Sequence, residues 1–320
     1  MADESAAVGP GAPSSGGARS ALDPELLARI AGLHLRARAV VEGLLSGLHK
    51  SPHQGQSVEF AEHKEYTPGD EIRHIDWKAY GKFDRYYIKR FEHETNLRAY
   101  LVVDASASMG YGSGPMSKLE VATTAAAALA LLLVRQQDQV GLCLLQGGRV
   151  ELLPPHSSPA HAKAIVERLS AARPDGPTNL GAAARLLAEK AGRRALVLLF
   201  SDLFESSPEP GEQPGLRELL QLRALSIQLS VFQILDAHEL DFPFEDPTLF
   251  LGMEDDRRLE ANPLELRDGY LAEMSTFLAH TRTLCRERDC DHELLRTDEP
   301  LDRGLVRFLA RRGRRGAGLP

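Results

Sequence analysis

The strongest constraint on what this chain can fold into is a regular alternation that begins at Arg98. Apolar runs, "AYLVVD", "QVGLCLL", "ALVLLFSD" and "IQLSVFQIL", are separated by stretches whose apolar residues recur at helical spacing. Runs without polar alternation read as strands buried on both faces, and strands alternating with helices build a mostly parallel sheet with helices on either side. The expected fold class is therefore α/β, a doubly wound and mostly parallel sheet, over residues 98–310. Ser117 with Glu120 forms a capping box that starts a helix running to about Gln137. Gly147-Gly148 between "QVGLCLL" and "RVELL" suits the primed turn of a hairpin. Helices are expected at 160–172, 180–191 and 263–288, a short strand at "HELLR", and a last helix from Leu301.

The region before the alternation has a different texture. Asp23-Pro24 is a helix-start signal, and Leu26, Ile30, Leu33, Ala37, Val41 and Leu44 follow at steps of three and four. From Lys50 to Asn96 the turn signals "TPGD" and "YGKFD" and the strand-like "RYYIKRF" predict a small β-rich subdomain. The expected organisation is a disordered tail at 1–21, the helix and β-rich subdomain at 22–97, the α/β domain at 98–310, and a flexible basic tail at 311–320, "RRGRRGAGLP".

Charge narrows the function classes. A net charge of -7 argues against a general grip on nucleic acid or anionic membrane. Residues 73–91 do interleave Arg73, Lys78, Lys82, Arg85, Lys89 and Arg90 with aromatic rings, but Asp70, Glu71, Asp76 and Asp84 dilute that charge, and packing with salt bridges is the better reading. Val121–Val134 is the longest apolar run. It is broken by Thr123 and Thr124 and is shorter than the roughly 20 residues that cross a bilayer, so no membrane span is expected. Cys143, Cys285 and Cys290 lack the Cys-x-x-Cys spacing of zinc or redox sites, which makes a reducing, cytoplasmic setting the simplest expectation. His53, His63, His74 and His93 have no cysteine near them and no helical pairing, so they read as surface or packing residues.

Two of the buried runs end in oxygen-bearing side chains, "VVDASAS" and "LLFSD", and between them lies "DGPTNLGAA". In an open α/β sheet, ligands bind beyond the carboxyl ends of the strands where strand order reverses. If these three loops converge they supply Asp104, Ser106, Ser108, Thr178 and Asp202. All five offer oxygen and none offers sulfur or imidazole, the preference of a hard ion such as Mg²⁺ or Mn²⁺. Singly, Ser and Asp at strand ends are common helix caps and turn formers. Five in this order are a narrower pattern.

D-x-S-x-S, a later threonine, and an aspartate after a buried strand resemble the metal-ion-dependent adhesion site of von Willebrand factor A domains. The resemblance implies that Ser106 and Ser108 ligate the metal directly, Thr178 directly or through water, and Asp104 and Asp202 mainly through water. Residues 59–94, "EFAEHKEYTPGDEIRHIDWKAYGKFDRYYIKRFEHE", are similar to the signature of the bacterial family known as domain of unknown function 58. In that family such a segment precedes an A-type domain, and the genes commonly sit beside a MoxR-type AAA+ ATPase. The likeness covers roughly residues 22–310. The metal site points to a divalent-metal-dependent protein-binding adaptor, not an enzyme, whose partner offers an Asp or Glu to the metal, and the family likeness implies a MoxR-type ATPase as a second partner in complex assembly or maturation.

The enzymatic alternatives are weaker. No Gly-x-Ser-x-Gly elbow surrounds Ser106, since Asp104 stands where the first glycine belongs, and no Gly-x-x-x-x-Gly-Lys-Ser/Thr loop occurs. Metal-assisted hydrolysis at the same site remains the alternative, because an open Mg²⁺ position can activate water.

Overall fold

The structure, a computed structural model, describes residues 24–49, 64–65, 87–88, 97–205, 212–255 and 257–314. Its centre is a six-stranded sheet built from β1 (Arg98–Asp104), β2 (Gln139–Gln146), β3 (Arg149–His156), β4 (Leu196–Ser201), β5 (Gln228–Leu235) and β8 (Asp291–Arg296). Strand order is β8-β5-β4-β1-β2-β3, parallel throughout except for the β2–β3 hairpin. Gly147 and Gly148, both at positive φ, make the hairpin turn. The chain leaves β1 for β2 and β3 on one side, then returns to β4 on the other. Strand order thus reverses between β1 and β4, and their carboxyl ends flank the crevice.

The central strands lie between two helical layers, which is why their sequences are continuous apolar runs. After Arg98, every residue of β1 is buried, and so is every residue of β4. One layer contains α2 (Lys118–Arg135), α3 (Pro159–Ala171) and α8 (Leu301–Arg314). The other contains α4 (Leu180–Lys190), α5 (Pro214–Leu220) and α7 (Pro263–Glu287). Helix α2 is buried on nearly all sides because α1 (Pro24–His49) packs across it and across α3 and α8. Leu33, Ala37, Val41 and Leu44 of α1 point into that core. A fully buried leucine is worth about 2–5 kcal/mol over alanine. Helix α1 therefore shares the core of the α/β domain, across the boundary expected at residue 97.

Elements short enough to escape periodicity are α6 (Ala237–Asp241) and an antiparallel hairpin of β6 (Thr248–Leu251) with β7 (Arg258–Ala261). Helix α8 runs to Arg314, four residues into the stretch expected to be a solvated tail. The reason is pairing with the sheet: Arg311 bridges to Glu293 on β8, and Arg312 Nη2 donates to Gln228 Oε1 at 2.6 Å. Of the β-rich subdomain, the described part is one antiparallel pairing of Lys64–Glu65 with Tyr87–Ile88. The rest of residues 50–96, the tail at 1–21 and residues 315–320 lie outside the described residues.

Candidate functional site

Five sequence-selected oxygens meet at the β1–β4 crevice. Asp104 is the last residue of β1 and is fully buried. Its Oδ1 accepts from the Ser106 backbone N–H at 2.9 Å, an Asx-type turn that folds the following loop over the strand end. The Ser106 and Ser108 hydroxyls face each other at 3.2 Å, with both residues buried in and around the 3-10 turn Ala107–Gly110. The Thr178 loop is tied to this turn by Ala107 N–H donating to Gly176 O at 2.8 Å and Asp175 N–H donating to Ala105 O at 2.9 Å. Gly176 lies at φ +66°, and a Cβ there would sit 2.8 Å from Gly147 Cα, so only glycine lets the loop approach the hairpin this closely. That approach places Thr178 Oγ1 3.2 Å from Asp104 Oδ2.

Asp202 enters from β4. Leu203, immediately after it, is buried with φ +65°, a left-handed conformation that costs a bulky residue on the order of 1 kcal/mol or more. The turn it enforces lets Asp202 Oδ1 accept from Phe204 N–H at 3.0 Å. Asp202 Oδ2 accepts from Lys118 Nζ at 2.7 Å. Thus Asp104, Ser106, Ser108 and Thr178 form one hydrogen-bonded cluster, and Asp202 stands beside it on the ammonium of Lys118.

Three contributors were not legible in advance. Ser201 donates from Oγ to Asp104 Oδ2 at 2.6 Å. It directly precedes Asp202, and that adjacency was the available signal. Lys118 is fully buried between Asp202 and Glu239, 2.6 Å from Glu239 Oε1. Its place beside the capping box reads as exposed, so no local signal marks it. Glu254, on the turn of the β6–β7 hairpin, lies 3.3 Å through Oε1 from Thr178 Oγ1, and its Oε2 accepts from Thr178 N–H at 3.4 Å.

The electrostatics of the cluster favour a cation. Burial, then the neighbouring Asp202 carboxylate, pushes Asp104 up to about 6, against the opposing pull of its Ser201 and Ser106 donors. Burial works against the charge on Lys118, but Asp202 and Glu239 outweigh it and hold the ammonium above its ordinary value. The one buried ammonium is thus taken up by Asp202 and Glu239, and Asp104, buried beside Asp202, has no cation of its own in the cluster. Among the described residues no group of three His, Cys, Asp or Glu is placed to hold a metal. A site here has to use hydroxyls. Three hydroxyls and two carboxylates fit a hard divalent ion, and do not fit a thiophilic or imidazole-bound one.

A doubly wound α/β domain with a hydroxyl-and-carboxylate cluster at its switch point is the class that this fold and site define. Within that class the chain belongs to the family described as protein of unknown function DUF58, which matches residues 62–276. Uncharacterized proteins of Mycobacterium tuberculosis and Mycobacterium bovis are each 28% identical to it over 304 residues, covering 92% of this chain and 92% of theirs. Among solved structures, it is similar to the conserved hypothetical protein BatB from Bacteroides thetaiotaomicron, with 17% identity and a TM-score of 0.42 over 68% of this chain and 99% of that one. It is also similar to the SpRpn10 VWA domain, with 11% identity and a TM-score of 0.39 over 66% of this chain and 93% of that one. No helix among the described residues is long and apolar enough to cross a membrane.

Proposed function

We propose that the chain is a protein-binding adaptor that engages its partner through Mg²⁺ or Mn²⁺ held by Asp104, Ser106, Ser108, Thr178 and Asp202. The observation that supports this reading is the buried cluster at the switch point, in which Asp104 is pushed up to about 6 beside Asp202 while three hydroxyls stand within hydrogen-bonding reach of one another or of Asp104. Ser106, Ser108 and Thr178 would face the ion, and Asp104 and Asp202 would act from behind them. Such a bound ion supplies an electrophilic position, because its nearest ligands carry no charge. What fits that position is an Asp or Glu carboxylate of a partner. The chain's own residues do the remaining work: the Asp104 turn aims the two serines, Gly176 brings Thr178 to them, and Lys118 holds Asp202. Family resemblance carries the reading one step further, to a MoxR-type AAA+ ATPase in the partner assembly.

Thermal melts with and without Mg²⁺ test the metal. A ligand that binds only the native state adds about 2.7 kcal/mol at a hundred times its Kd. Wild type is expected to show such a gain and Asp104→Ala none. An equal gain in both removes the assignment. Co-purification of the ATPase with wild type, with Ser106→Ala and with wild type plus chelator tests the partner. Recovery with wild type alone is expected, and equal recovery in all three separates any association from this site.

A further inference from the structure

Glu254 belongs to none of the three loops that form the cluster, yet its carboxylate faces the hydroxyl that closes it. Thr178 Oγ1 lies between Asp104 Oδ2 at 3.2 Å and Glu254 Oε1 at 3.3 Å, so its single proton is shared by two carboxylates. We infer that Glu254 is an intrinsic ligand of the metal centre: the β6–β7 turn delivers a carboxylate of the chain itself to the place a partner's Asp or Glu takes. The inference rests on the reading of the five oxygens as a Mg²⁺ or Mn²⁺ site.

The turn is built to present this side chain. Gly252 N–H donates to Arg257 O at 2.8 Å, and Asp255 Oδ1 accepts from Arg257 N–H at 3.0 Å, which closes the loop around Glu254. A side chain at Gly252 would collide with Asp255, its Cβ 2.9 Å from the Asp255 carbonyl oxygen. At the other end the hairpin is anchored by Phe250, which stacks on Phe242, itself stacked on Tyr270 at 4.5 Å between centroids. Tyr270 donates to Glu239 O at 2.8 Å, so the anchor joins the helix that holds Lys118. Met253 reaches the serine-bearing turn, with Cε 3.9 Å from where a Cβ of Gly110 would lie. The hairpin tip therefore touches two of the three loops at once.

Charge supplies the reason for a carboxylate here. Ser106, Ser108 and Thr178 are neutral, and Asp202 is already paired with Lys118. Of the five, that leaves Asp104 as the carboxylate without a cation, and a dication seated there is short of negative charge. Among the described residues, Glu254 is the carboxylate from outside the set that hydrogen bonds to one of its hydroxyls. A partner's carboxylate must then displace Glu254, and the hairpin acts as a gate on the site.

Mn²⁺ alone is the probe, added to the full chain as wild type, Asp104→Ala, Glu254→Gln and, as a control on the exposed part of the same hairpin, Glu260→Gln. Water-proton relaxation counts the inner-sphere waters on bound Mn²⁺, and electron paramagnetic resonance of free Mn²⁺ gives the affinity. Glu254→Gln is expected to gain one inner-sphere water and to bind about fivefold to tenfold more weakly, because affinity in such sites follows ligand charge count. Glu260→Gln is expected to match wild type. If wild type binds Mn²⁺ and loses it in Asp104→Ala while Glu254→Gln keeps the same water count and affinity, the intrinsic ligand is refuted and the five-oxygen site stands. If wild type binds no Mn²⁺, the five-oxygen reading fails and the intrinsic ligand fails with it.

Discussion

Asp104 and Asp236 are the same residue in nearly the same setting, and they have opposite electrostatics. Each is fully buried at the carboxyl end of a parallel strand, Asp104 closing β1 and Asp236 following β5. Asp236 receives Ser113 N–H at 2.9 Å, Ser113 Oγ at 2.5 Å, Thr297 Oγ1 at 2.7 Å and His238 N–H at 2.9 Å. Burial works against its charge, yet the donors, Ser113 foremost, win and hold the carboxyl below its ordinary range. At Asp104 burial, and after it the neighbouring Asp202 carboxylate, outweigh a smaller set of donors, of which Thr178 is shared with Glu254, so it is pushed up to about 6. One carboxylate is complete within the protein. The other gains most from a cation, and it is the one at the switch point.

The largest expected effect comes from removing the cation closest to the Asp104 cluster. Lys118→Met leaves Asp202 and Glu239 without their shared ammonium, and breaking a buried pair from one side costs about 3–5 kcal/mol. Urea titration in chelator is expected to show that loss, and Mg²⁺ to recover part of it by returning positive charge to Asp202. A loss under about 1 kcal/mol, or no recovery with Mg²⁺, breaks the picture of Lys118 as the site's internal counter-ion.

Next in size is the contrast between the two aspartates themselves. Asp236→Ala strips four donors of their acceptor and is expected to destabilise the metal-free protein by about 2–3 kcal/mol, the cost of unsatisfied buried groups next to a charged partner. Asp104→Ala also leaves the Ser106, Thr178 and Ser201 donors without this acceptor, but it removes an acid whose charge burial and Asp202 oppose, so its loss in chelator is expected to be smaller by about 1 kcal/mol or more. Parallel urea titrations measure both. Equal losses mean that Asp104 is as structural as Asp236.

How much of this was legible in the sequence follows from how local each cause is. Strands buried on both faces need continuous apolar runs, so β1, β2, β4 and β5 were visible, and the capping box at Ser117 formed with both of its hydrogen bonds. The D-x-S-x-S run was visible because its spacing is compact, and Asp202 because it follows directly on the apolar run of β4. Lys118 was not, because its burial depends on Asp202 and Glu239, 84 and 121 residues away. Glu254 was not, because β6 and β7 are short and mostly exposed and carry no usable alternation. The arginines after Ala310 read as solvated since charge is all that the local sequence displays. Their partners, Glu293 and Gln228, lie on two strands of the sheet, 18 residues before Arg311 and 84 before Arg312.

The smallest effect sharpens the comparison with a third aspartate that lies outside the site. Asp138 precedes β2, accepts a single hydrogen bond from Leu97 N–H at 3.1 Å, and is pushed by burial up to about 6. It has no carboxylate neighbour in the cluster, so it isolates the effect of having too few donors. An acid whose folded value is raised holds its proton in the native state after the unfolded chain has lost it. Its contribution is therefore fully favourable below about 4 and is lost as pH rises to about 6. Asp236, held below its ordinary value, has the opposite sign: its contribution is present above the unfolded value and is lost as pH falls. Asp138→Asn is accordingly expected to gain on wild type by about 1–2 kcal/mol between pH 4 and pH 7, while Asp236→Asn falls further behind over the same interval. Chelated urea titrations at the two pH values measure both slopes. If the two variants move in the same direction, donor number is not what separates a finished carboxylate from one that gains from a cation.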